Sequence, residues 1–111
     1  MTKRSDYPEM SEEALVEASR QGDVEAFEEL VARHRDKIYA RAYSMMRNED
    51  QAMEMSQAAW IKGWQRLVQF SGNSSFATWL TRIAINLCLD ELRKQKRNRA
   101  ESIDALSERS G

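Results

Sequence analysis

The chain is short of most residues that punctuate or cross-link a fold. A single cysteine, Cys88, excludes an internal disulfide and fits a reducing compartment. One proline and four glycines are too few for the turns that many short strands would need, and no alternating strand pattern occurs. There is one histidine, His34, and no metal-ligand spacing, phosphate-cradling glycine loop or nucleophile–base pair. Catalysis, metals and cofactors are therefore not expected. No run reaches the roughly 18 apolar residues of a membrane span, and the opening MTKRSDYPEM lacks the apolar region of a secretory leader. The expectation is a soluble cytoplasmic protein that works by binding.

What is present is helix-forming. At 111 residues the chain has the length of one small domain, and it is rich in Ala, Glu, Lys, Arg, Leu and Met. The formal net charge of −1 hides a division. Residues 1–58 hold 8 Lys/Arg against 13 Asp/Glu, whereas residues 59–111 hold 9 against 5. An acidic front half and a basic back half point to a polyanionic partner on one side only.

Residues 1–10 read as a disordered lead with a lone Pro8. Ser11 caps a first helix, Glu12 and Glu13 favour its positive end, and Gly22 ends it. Asp23 caps a second, long helix with Phe27, Leu30, Val31, Ile38, Ala42 and Met45 at helical spacing, broken at Arg47–Asp50. Asn48 with Gln51 starts a third helix of about twenty residues, ending near Val68. A polar turn, Gln69 to Ser74, leads to Ser74 or Ser75 as the cap of a fourth helix running to about Asn98. Residues 100–111 read as a tail or linker. The fold expected is all-α, a compact bundle of four helices.

On the third helix Met53, Trp60, Trp64 and Leu67 share one side and read as the core stripe, while Glu54, Gln57, Ala58 and Ile61 share another. Gly63, costly inside a helix, marks a place where a neighbouring helix comes close beside the tryptophans. On the fourth helix Phe76, Leu80, Ile83 and Leu87 form the core wedge, with Trp79, Arg82, Asn86, Arg93 and Arg97 on an adjoining strip. Asn is a poor interior helix residue. Two readings of Asn86 stand: its amide reads a ligand, or it satisfies a neighbouring backbone group. Arg93, Lys94, Lys96, Arg97 and Arg99 exceed what offsetting a helix dipole requires, and phosphate contact accounts for the excess.

These stretches together resemble one family, the extracytoplasmic-function (ECF) sigma factors of bacterial RNA polymerase, in their N-terminal region-two domain. GDVEAFEELVARHRDKIYARAYSMM resembles its first segment, and EMSQAAWIKGW resembles its (D/E)-L-x-Q-E-x-F-x-x-A-W segment. FSGNSSFATWLTRIAINLCLDELRK resembles F-x-G-x-x-x-F-x-x-W-L-x-R-I-A-x-N-x-x-x-D-x-x-R almost position by position. The likeness spans residues 12–99. It departs at Ala58, where the family usually has an acid, and at Trp60, usually Phe.

The resemblance implies a helix face that docks on the clamp coiled coil of core RNA polymerase, here Glu54, Met55, Gln57, Ile61 and Lys62. It implies that the loop before the fourth helix captures a base flipped from the non-template strand of the minus-ten promoter element. Phe70 and Asn86 would line that pocket, and Ser71, Gly72, Asn73, Ser74 and Ser75 would form its rim. Arg82, Arg93, Lys94 and Arg97 would hold phosphates. An anti-sigma factor is a further partner that the family commonly has. The family's second, promoter-reading helix-turn-helix domain is not encoded, so the chain is expected to be a region-two piece entering a linker. The rival reading is a helical adaptor that binds protein alone.

Overall fold

The computed structural model describes residues 4–110. Four α-helices follow a short 3-10 turn at Arg4–Glu9: α1 (Glu12–Arg20), α2 (Val24–Met46), α3 (Glu49–Gln65) and α4 (Phe76–Ser110), with no strand among the described residues. Each start is set by the side chain expected to cap it. The Ala14 N–H donates to Ser11 Oγ (3.1 Å), Ala26 N–H to Asp23 Oδ1 (3.2 Å), Gln51 N–H to Asn48 Oδ1 (2.9 Å) and Thr78 N–H to Ser75 Oγ (3.1 Å). Gly22, at φ 96°, turns the chain between α1 and α2.

Helix α2 is the central element, packed on α1, α3 and α4. Leu15, Phe27, Leu30, Ile38, Ala59, Leu67, Phe76 and Leu80 belong to the main core, and a smaller cluster joins Ala42, Met46, Ala52, Met55 and Cys88. Cys88 is fully buried, a small apolar filler whose thiol burial pushes up in pKa. No described helix is long and apolar enough to cross a membrane.

Three features depart from expectation. Residues 4–9 are not a disordered lead. Tyr7 inserts into the main core and donates its hydroxyl to Asp23 Oδ2 at 2.7 Å, and Arg33 Nη2 donates to the carbonyls of Tyr7, Pro8 and Met10. One anchoring aromatic overrides a polar surrounding composition. Helix α4 does not stop at Asn98 but continues to Ser110, because nothing from Ala100 to Ser110 interrupts the backbone ladder and no Gly or Pro intervenes.

The buried stripe of α3 is the third departure. It is Ala52, Met55, Ser56, Ala59 and Gly63, not Met53, Trp60, Trp64 and Leu67; Met53 is 50% exposed. Small side chains let α3 lie close to its neighbours, while Trp60 and Trp64 reach in from the flank to meet the Phe27 ring at 5.9 and 5.1 Å. A Cβ added at Gly63 would come 2.6 Å from Leu80 Cδ1, so the close approach expected there does occur. Leu67 is buried beyond the end of α3, in a 3-10 turn at Leu67–Gln69.

Candidate nucleic-acid interface

The loop between α3 and α4 begins at Phe70, which is only 8% exposed. Its ring is held by Phe76 (6.1 Å between centroids), Trp79 (5.2 Å) and the Arg20 guanidinium (5.7 Å to the centroid). Beyond it Ser71, Gly72, Asn73 and Ser75 are exposed and Ser74 is half-buried. Gly72 sits at φ 82°, a backbone conformation for which glycine is the natural occupant. Ser75 ends the loop as the α4 cap, its hydroxyl also donating to Thr78 Oγ1 at 2.9 Å.

This loop and the facing side of α1 enclose a cleft of about 410 Å³. Phe70, Ser71, Gly72, Ser74 and Ser75 line it, so most of the predicted pocket residues do converge. Asn73 and Asn86 are not among its lining residues. Asn86 lies about 15 Å along α4 from Phe76 and is exposed there. The sequence reading missed the other wall, Glu12, Glu13, Val16 and Arg20 of α1, which lies some fifty residues away in the chain. Glu12 meets His34 as well, and the Glu17 carboxyl is held below its usual range by the Gln21 amide and then Arg20. No local spacing pattern links α1 to the loop.

Asn86 belongs instead to a stripe on α4. At 100° per residue Arg82, Asn86, Arg93 and Arg97 fall within about 60° of one another, over about 22 Å of helix. All four are exposed, with Leu89 partly exposed between them. Lys94 is exposed but turned to one side of the stripe. The ion pair recorded within this group is Arg93 Nη1 to Asp90 Oδ1 at 3.2 Å, on the surface. The stripe is a row of solvated cations with one amide among them, able to hold successive phosphates and to donate or accept at a base edge.

A second surface lies on α3. Glu54, Gln57 and Ile61 are exposed, Ile61 by 60%, and Lys62 is half-buried. Met55 does not join them. It is 9% exposed and packs with Ala42, Met46, Ala52 and Cys88, because it sits 100° round the helix from Glu54, on the side facing the interior. Beside Gln57 a groove of about 440 Å³ runs between α2 and α3, lined by Val31, Arg35, Asp36, Tyr39, Met53, Ser56 and Trp60. Assigning Met53 and Trp60 to the core concealed this groove from sequence reasoning. Among the described residues no group of His, Cys, Asp and Glu is placed to hold a metal.

Residues 30–98 match the family model described as sigma-70 region 2. The chain is similar to the ECF RNA polymerase sigma factor SigW of Bacillus subtilis, 38% identical over 79% of this chain and 47% of that protein. It is also similar to the ECF RNA polymerase sigma-E factor of Escherichia coli K12, 34% identical over 88% of this chain and 51% of that protein. The chain thus spans about half the length of these curated relatives. Among solved structures it resembles an engineered region 2 of sigmaE in complex with GTAAAA, determined by NMR. The TM-score is 0.74 and the identity 32%, covering 88% of this chain and 97% of that one.

Proposed function

This chain belongs to the sigma-70 region 2 family, on its extracytoplasmic-function branch, and from that membership we propose that it serves transcription initiation by engaging two partners on two faces. Helix α4 and the loop before it engage the single-stranded minus-ten element of a promoter. The outward face of α3, with Glu54, Gln57, Ile61 and Lys62, docks on the clamp coiled coil of core RNA polymerase. Both events belong in the cytoplasm, and an anti-sigma factor would cover the same faces.

The observation that carries the reading is the α4 stripe. Arg82, Asn86, Arg93 and Arg97 are exposed and aligned on one side, in a chain whose front half is acidic. Cations there fix the register of a phosphate backbone, and the amide and the loop supply what can distinguish bases. A base leaving its stack costs a few kcal/mol, which a close-fitting pocket can offset. The neighbour's complex with GTAAAA supplies the first probe. Fluorescent GTAAAA and its single-base variants are titrated against the chain and Asn86→Ala. The expected result is that the variant loses affinity for the preferred oligonucleotide while its affinity for oligo(dT) stays unchanged. Equal binding of every sequence by the unmodified chain would refute the reading.

A further inference from the structure

The loop that closes the cleft has little to hold it from within. Its own recorded hydrogen bonds are Asn73 N–H to Ser71 Oγ at 3.4 Å and Ser74 Oγ to the Ser75 carbonyl at 3.2 Å, both exposed. Its position is therefore inherited from its two ends. The far end is fixed by the Ser75 cap of α4. The near end is fixed by the burial of Leu67 and Phe70, by the Phe70 N–H donating to the Leu67 carbonyl at 3.1 Å, and by one side chain from another helix that reaches both carbonyls.

That side chain is Arg20, in the last turn of α1. Its Nε donates to the Leu67 carbonyl at 3.4 Å and its Nη2 to the Phe70 carbonyl, two acceptors at either end of the 3-10 turn that feeds the loop. Its Nη1 donates to Glu17 Oε2 at 3.2 Å, which orients the guanidinium, and its Cζ lies over the Phe70 ring, 5.7 Å from the centroid. A rigid planar fork is the group suited to serve two carbonyls and a ring together, and a lysine ammonium cannot reproduce that geometry. Arg20 also lines the cleft, and its hydrogen bonds run from the α1 wall to the loop wall.

We propose that Arg20 is a positioning residue for sequence recognition, holding the Phe70–Ser75 loop at the spacing that lets the cleft discriminate one base from another. This rests on the reading that the loop engages DNA. Losing a charge-assisted hydrogen bond can change an equilibrium by about tenfold, and here that loss falls on the loop's placement rather than on a DNA contact.

The test compares the chain with Arg20→Lys and Arg20→Gln in two measurements. In the first, GTAAAA, its single-base variants and oligo(dT) are titrated. Arg20→Lys, which keeps the charge, should reduce the ratio of preferred to non-preferred affinity by about tenfold, with oligo(dT) binding unchanged. In the second, amide hydrogen exchange is followed by mass spectrometry. Peptides covering residues 67–70, whose Gln69 and Phe70 amides donate to the Arg66 and Leu67 carbonyls, should exchange faster in both variants, while those covering α2 keep their protection and so report an intact fold. An unchanged ratio in Arg20→Lys, or unchanged exchange in that turn, overturns the proposal. So does a uniform loss on all sequences with a smaller salt slope in Arg20→Gln, which would make Arg20 a phosphate contact. If the unmodified chain shows no sequence preference, the DNA reading falls and recognition by this loop falls with it. A preference that survives intact in Arg20→Lys overturns only the role of Arg20.

Discussion

Tyr7 shows how much a single side chain outside any periodic pattern can decide. Its ring joins the main core, and its hydroxyl donates to the same Asp23 carboxylate whose other oxygen caps α2. The hydrogen bond to Asp23, followed by burial, pushes the phenol from 10.0 up to about 12. A phenol whose folded pKa is raised stabilises the fold fully below its unfolded pKa and loses that contribution as pH rises through the folded value. The stability advantage of the chain over Tyr7→Phe should therefore be constant up to about pH 10 and shrink towards pH 12, as measured by urea denaturation across that range. A gap that stays constant to pH 12 would mean that the Asp23 bond does not hold the proton. Nothing in MTKRSDYPEM announces this role, because an isolated aromatic beside Pro8 carries no spacing to read.

Helix α3 carries the clearest lesson about elements. Hydropathy favours burying Met53, Trp60 and Trp64, yet the helix buries Ala52, Met55, Ser56, Ala59 and Gly63, a face small at four of its five positions, because closeness of helix axes decided the orientation. Gly63 is where this is most acute, since the methyl of an alanine would meet the fully buried Leu80. Gly63→Ala gains about 1 kcal/mol of helix propensity but incurs overpacking of about 1–3 kcal/mol, so a net loss of about 1 kcal/mol is expected from urea denaturation. Leu80→Val opens space at the same point. The double variant should accordingly be more stable than the sum of the two single effects, the signature of residues in contact. An additive result would show that the two helices separate instead.

At the scale of the molecule, the α3 face and the α4 stripe are separate surfaces with separate chemistry. The α3 face offers a mixed groove beside Gln57, and the α4 stripe offers solvated cations. They should therefore respond independently. Gln57→Ala is expected to lower capture by immobilised core RNA polymerase without changing oligonucleotide affinity. Arg93→Ala is expected to weaken all oligonucleotides alike and to reduce the slope of log K against log salt by about one, without changing capture. If either variant moved both readouts, the two-face arrangement would fail.

Sequence alone determined the class of the fold, its four helices and the side chains that start each one. Capping and helical spacing are local, and each was readable within a few residues. The long motif around Trp79 and Asn86 likewise singled out the family from residues close together in the chain. Tertiary structure alone decided which face of α3 turns inward and that Tyr7 anchors the first residues. It also decided that the cleft beside Phe70 has α1 as its second wall. Each of those depends on how near two distant segments lie, a distance set by packing and invisible to any window of sequence.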